Sequence, residues 1–223
     1  METNARRVQE GKKKFDAFAF PMRFVPLNYK DRSFVGDNWT KKLLSGVQAI
    51  LCPSHGGVYI TDDYFNHMYG KTYGEFYRNI LMPRQYIENK GKPLHKYPLG
   101  KHPNTFLLRC IDEWSELYSS LSDEDRKAFE LTISDNHFTN QTYSKIEDDD
   151  FKKLYIHYFT GKKLVDFIEK LQPNEIAFVL NYIQYECPSI YWCSQKLLSE
   201  NSGFESIKLT NLVIGLFENK ISA

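Results

Sequence analysis

From Phe106 onward the large apolar residues of this chain recur three and four positions apart, a spacing that lines one face of an α-helix and leaves little room for strands. Phe106, Leu107, Cys110, Ile111, Trp114, Leu117, Tyr118 and Leu121 make one long stripe. Phe151, Leu154, Tyr155, Tyr158 and Phe159 make a second, interrupted at Gly161. Leu164, Val165, Phe167, Ile168 and Leu171 follow, closed by Pro173, and Ile176, Val179, Leu180 and Ile183 form the next, ending before Cys187-Pro188. Leu209, Leu212, Val213, Leu216 and Phe217 predict a last helix over residues 204–221. Ser122 with Asp125 has the spacing of an N-cap. Asp148-Asp149-Asp150 precede the Phe151 stripe, where negative charge favours a helix N-terminus. Residues 104–223 therefore read as a helical domain, an irregular bundle.

Ahead of it, residues 89–103 hold Gly91, Pro93, Pro98, Gly100 and Pro103 among lysines, the composition of a linker. Residues 1–88 form the other part. Leu43, Leu44, Val47, Ile50 and Leu51 are at helical spacing, and Cys52-Pro53-Ser54-His55-Gly56-Gly57 stops that helix. Asp62 or Asp63 is placed to cap a short helix that Gly70 ends. Phe76, Tyr77, Ile80 and Leu81 share a face over residues 73–82. Residues 15–25 instead alternate, with Phe18, Phe20, Met22 and Phe24 on one side, which predicts a strand. Pro21 confines it to a sheet edge or to the last strand of an open barrel. The expected fold class is mainly α, with one N-terminal strand.

Charge narrows the partners. Lys and Arg number 29 against 28 Asp and Glu, a net charge of +1, so no long-range field recruits nucleic acid or an anionic membrane. The first residues are polar, without the apolar core of a signal peptide. The apolar run Leu212-Val213-Ile214-Gly215-Leu216-Phe217 is too short to cross a bilayer. A soluble cytoplasmic protein is expected, with neither nucleic acid nor membrane as partner. The four cysteines, Cys52, Cys110, Cys187 and Cys193, read as small buried residues in a reducing cell rather than metal ligands. No GxSxG, P-loop, GxGxxG or HExxH occurs, so no catalytic residue is assigned.

One stretch carries a resemblance. Phe20-Pro21-Met22-Arg23-Phe24-Val25-Pro26-Leu27-Asn28-Tyr29-Lys30-Asp31-Arg32, followed by Gly36-Asp37-Asn38-Trp39-Thr40, resembles the end of the catalytic barrel in one group of radical SAM (S-adenosylmethionine) iron–sulfur enzymes. Met68-Tyr69-Gly70, Glu75-Phe76 and Ile80-Leu81-Met82-Pro83 continue the likeness in order, so that it covers residues 15–88. It implies that the strand at 15–25 is the remnant of the end of a partial TIM-like barrel. The family cleaves S-adenosylmethionine reductively on a [4Fe–4S] cluster held by CxxxCxxC, and that motif is absent from this chain. The resemblance thus implies the C-terminal segment of such a protein, closing the barrel and capping the pocket. This chain alone would be inactive and would bind neither cofactor, and its partner would be the missing N-terminal radical SAM half or another protein. A free-standing helical accessory or interaction domain derived from that tail is the alternative.

Cofactor contacts, on this resemblance, fall to Arg23 on the strand and to Asn28 and Arg32 in the loop after it, on the side where barrel ligands bind. Two roles stay open for Arg23. Inside a barrel its guanidinium pairs with a carboxylate of the protein or of S-adenosylmethionine. At the rim it makes an ordinary surface ion pair.

Overall fold

A computed structural model describes residues 2–12, 25–29, 33–51, 68–90 and 105–201. Among these the elements are α1 (Glu2–Gln9), α2 (Lys41–Leu51), α3 (Tyr73–Leu81), α4 (Arg84–Lys90), α5 (Thr105–Ser120), α6 (Asp123–Ile133), α7 (Asn140–Tyr143), α8 (Asp149–Ile156), α9 (Lys162–Ile168), α10 (Pro173–Asn181), a π-helical segment (Tyr182–Glu186) and α11 (Pro188–Asn201). The chain is mainly α, and no strand occurs among the described residues.

Local chemistry sets the helix starts. Thr40 Oγ1 accepts from Leu43 N at 3.1 Å ahead of α2. Thr72 does the same for Glu75 N ahead of α3, and the Glu75 carboxylate returns to Lys71 N at 2.6 Å. Gly70 sits just before at a φ of +67°, in the left-handed region where glycine is favoured, and stops the helical turn at Met68 and Tyr69. Ser122 caps α6 through Asp125 N, and Asp148 caps α8 through Phe151 N at 2.7 Å. Pro173, which the sequence sets as the end of one stripe, opens α10 at the first helical turn, where a missing N–H is tolerated.

The apolar stripes then meet. Packing joins α2 to α3 and α4, α4 to α5, α5 to α8 and α11, and α9 to α11. One buried core runs from Ala49 and Ile50 through Ile87, Leu107 and Trp114 to Ile190 and Cys193. Rings fill much of it: Trp114 stacks on Tyr118 at 5.1 Å, Phe138 on Tyr158 at 4.3 Å and Phe159 on Phe167 at 4.0 Å. Tyr77 of α3 and Tyr118 of α5 donate to the two oxygens of Glu130 on α6, at 2.8 and 2.7 Å. The expected linker lies mostly outside the described residues. Helices on either side of it contribute to this core.

Helices α2 and α3 approach each other closely. A Cβ added at Gly46 would stand 2.1 Å from the Ile80 carbonyl oxygen, so only glycine lets the helices meet there. Lys42, one turn earlier and 2% exposed, sends its ammonium to Ile80 O at 3.1 Å and Met82 O at 2.7 Å. These are carbonyls at the C-terminal end of α3, the end where cations are favoured. The same nitrogen lies 5.7 Å from the centre of the Tyr158 ring. Burial pushes its pKa down to about 7.

Two expectations need correction. The strand at residues 15–25 and the barrel remnant built on it have no support: 15–24 lie outside the described residues, and Val25 belongs to no regular element. The helix over 204–221 also lies outside them. The run through Ile176 and Ile183 is not a single α-helix but turns π-helical at Tyr182, with Cys187 N donating to Tyr182 O at 2.7 Å, five residues back.

Candidate functional site

A file of polar side chains, hydrogen-bonded in part, threads the junction of α4, α5, α8, the π segment and α11. His157, at the C-terminal end of α8 and 0% exposed, is at its centre. Its Nδ1 lies 2.9 Å from the Tyr86 hydroxyl and its Nε2 2.9 Å from the Tyr182 hydroxyl. Burial pushes the imidazole pKa down to about 3, so at neutral pH the ring is uncharged, with one N–H and one lone pair.

On one side the file reaches solvent. Tyr182 adjoins Cys187, the residue just before α11. The Cys187 thiol donates to Glu113 Oε2 at 2.6 Å, and Ser189 Oγ donates to Glu113 Oε1 at 3.0 Å. Burial raises the Glu113 carboxyl above its ordinary range, against the two donors and Arg109, which lower it. Burial and the facing carboxylate together push the Cys187 thiol well up. A helix N-terminus ordinarily favours a thiolate, but here the carboxylate prevails and Cys187 stays a protonated donor. On the other side Tyr86 adjoins Cys110, and Cys110 adjoins Cys193. Cys110, Cys187 and Cys193 are buried and in no disulfide.

Glu113, Tyr182 and Cys187 border an open cleft of about 320 Å³, with Glu116, Lys153 and Glu186 around it. Lys153 bridges to Glu186 at 2.7 Å and to Asp150 at 3.6 Å. The chemistry available is proton exchange at a partly desolvated carboxyl backed by neutral donors. Nucleophilic attack is disfavoured, because burial and Glu113 keep the thiol protonated.

The sequence-assigned residues stand elsewhere. Arg23 and Arg32 lie outside the described residues. Asn28 is exposed, in a turn that the Tyr29 N to Pro26 O bond closes at 3.0 Å. The file does not include it. Sequence reasoning assigned no role to Glu113, His157 or Lys42. The signal for His157 was its place in the run Leu154-Tyr155-Ile156-His157-Tyr158-Phe159, where a polar residue sits among core side chains. Among the described residues no group of three or more His, Cys, Asp or Glu is arranged to hold a metal ion. No helix there is long and apolar enough to cross a membrane. No protein-family model, curated protein or solved structure matches this chain.

Proposed function

We propose that this chain is the helical C-terminal segment of a radical SAM protein, closing the barrel and capping the pocket of an enzyme that cleaves S-adenosylmethionine reductively, and that it is not catalytic alone. The supporting observation is how the stretches that carry the resemblance pack. The helix after Gly36-Asp37-Asn38-Trp39-Thr40 and the run Ile80-Leu81-Met82-Pro83 are 38 to 40 residues apart along the Lys42 hydrogen bonds. They nonetheless meet at Gly46 and Lys42. Landmarks that meet in space are constrained together, which scattered matches would not be. In this reading the cluster and S-adenosylmethionine belong to the part that carries CxxxCxxC, and Arg23, Asn28 and Arg32 approach them from this chain.

A second reading, a free-standing interaction domain, draws on large apolar side chains at the surface: Tyr73, Leu131, Tyr185 and Trp192 are each at least half exposed. Sedimentation of the purified chain mixed with a barrel polypeptide bearing the CxxxCxxC loop separates the two. A stoichiometric complex supports the first reading. Independent sedimentation of the two polypeptides overturns it and leaves the second.

A further inference from the structure

Trp114, Tyr118, Tyr77 and Tyr73 form a connected run of oxidisable rings from the core to the surface. Trp114 is 0% exposed, and its indole stacks on the Tyr118 ring at 5.1 Å with planes 8° apart. Tyr118 and Tyr77 donate to the two oxygens of one carboxylate, Glu130. Tyr77 stacks in turn on Tyr73 at 5.9 Å, and Tyr73 is 78% exposed.

The chemistry of each group gives the run a direction. Trp114 Nε1 is buried without a hydrogen-bond partner, so an indole that loses an electron has no base for its proton and stays a strong oxidant. Its neighbour Tyr118 does have a base, Glu130 Oε1 at 2.7 Å. The Arg126 guanidinium lies over the Tyr118 ring at 5.4 Å and opposes positive charge there. The electron therefore leaves Tyr118 together with the phenolic proton. Tyr158, on the far side of Phe129 from Trp114, donates instead to the Leu81 backbone carbonyl, a far weaker base than a carboxylate.

We infer that these four rings and Glu130 carry a one-electron oxidation from Trp114 to Tyr73. A one-electron oxidant takes an electron from Trp114. Tyr118 replaces it and passes its proton to Glu130 Oε1, which leaves a neutral Tyr118 phenoxyl and a protonated carboxyl. Tyr77 then gives an electron to Tyr118 and a proton to Oε2, while Oε1 returns its proton to Tyr118. Tyr73 supplies Tyr77 with an electron and loses its own proton to water, and Tyr77 recovers its proton from Oε2. The sum is one electron from Tyr73 to the oxidant and one proton from Tyr73 to solvent. Glu130 is ionised before and after. A soluble thiol resets Tyr73 by giving it a hydrogen atom and becoming a thiyl radical. This path is independent of the radical SAM reading.

The test uses the full chain with Trp39→Phe and Trp192→Phe, so that Trp114 is the only tryptophan. A laser pulse at the red edge of indole absorption ejects an electron from Trp114, and hexaamminecobalt(III) consumes it. Transient absorption follows the indole and phenoxyl radicals, and a nitroso spin trap read by mass spectrometry marks where the radical ends. The expected result is an indole radical that gives way to phenoxyl, more slowly in heavy water because proton and electron leave together. The trap is expected on Tyr73 and not on Tyr185, which is 77% exposed. Tyr118→Phe should prolong the indole radical and remove the label from Tyr73. Glu130→Gln should slow the transfer about tenfold or more, the rate equivalent of losing a hydrogen bond to a charged group. An indole radical that Tyr118→Phe does not prolong overturns the inference. So does label on Tyr185 in place of Tyr73, a rate unchanged in heavy water, or a rate unchanged in Glu130→Gln. Should a variant not fold, label on Tyr73 or on Tyr185 in the unsubstituted chain still decides.

Discussion

Gly46→Ala puts the α2–α3 contact under the most direct test. The new methyl would lie 2.1 Å from Ile80 O and 2.8 Å from Ile80 C and Cα, all backbone atoms that no rotamer change moves away. Restoring ordinary contact needs a separation of about 1 Å, and overpacking of this kind costs about 1–3 kcal/mol. The same movement stretches the 2.7 Å bond from Lys42 to Met82 O past hydrogen-bonding range. Loss of a bond to a charged group adds about 1.5–3 kcal/mol. Alanine returns about 1 kcal/mol through its helix preference over glycine. The balance is a destabilisation of about 3 kcal/mol. Urea unfolding followed by far-ultraviolet circular dichroism reads it as a lower midpoint at unchanged slope. Gly74→Ala is the matched control, since nothing lies within 4 Å of a Cβ there, and it should be neutral or stabilising by about 0.5 kcal/mol. A Gly46→Ala chain as stable as the wild type would refute the close-contact reasoning.

Buried groups give the pH predictions. Lys42 has a folded pKa of about 7 against 10.5 unfolded, so above pH 7 the unfolded state binds the extra proton and stability rises with pH. Between pH 7 and about 8.5, below thiol ionisation, the rise is at most about 2 kcal/mol, and Lys42→Met should flatten it in urea midpoints. His157, at about 3 folded against 6.5 unfolded, acts on the acid side. The unfolded state gains its proton first, so stability falls by about 3 kcal/mol from pH 6.5 to pH 4, and His157→Gln should lessen that slope. Ser122→Ala removes the α6 cap and should cost about 1 kcal/mol in the same assay.

Much of the helical architecture was legible because its signals are local. Ser122, Asp148 and Gly70 mark helix ends through bonds and dihedrals within a few residues, and the stripe from Leu107 to Leu121 buries the face its spacing indicates. The site was not legible, because its members come from distant helices. Nothing local to Lys41-Lys42 marks a buried charge, and the Gly46 crossing turns the second one inward onto carbonyls near residue 80. Glu113 shares a face with Cys110, one turn away, yet its partners Cys187 and Ser189 are more than 70 residues on. The π turn at Tyr182 brings that hydroxyl into the file, and apolar periodicity does not register the turn.

The central claim, a C-terminal segment that works only with a cluster-bearing barrel, is tested most directly by 5′-deoxyadenosine formation. The chain is reconstituted anaerobically with iron and sulfide and given reductant and S-adenosylmethionine, alone and with the barrel polypeptide that carries CxxxCxxC. The account predicts no deoxyadenosine above the protein-free control from the chain alone, and cleavage by the mixture above that of the barrel polypeptide by itself. Deoxyadenosine from the chain alone would contradict it, because the cluster would then rest on thiols whose spacing and burial argue against one. A mixture no more active than the barrel polypeptide would contradict it equally.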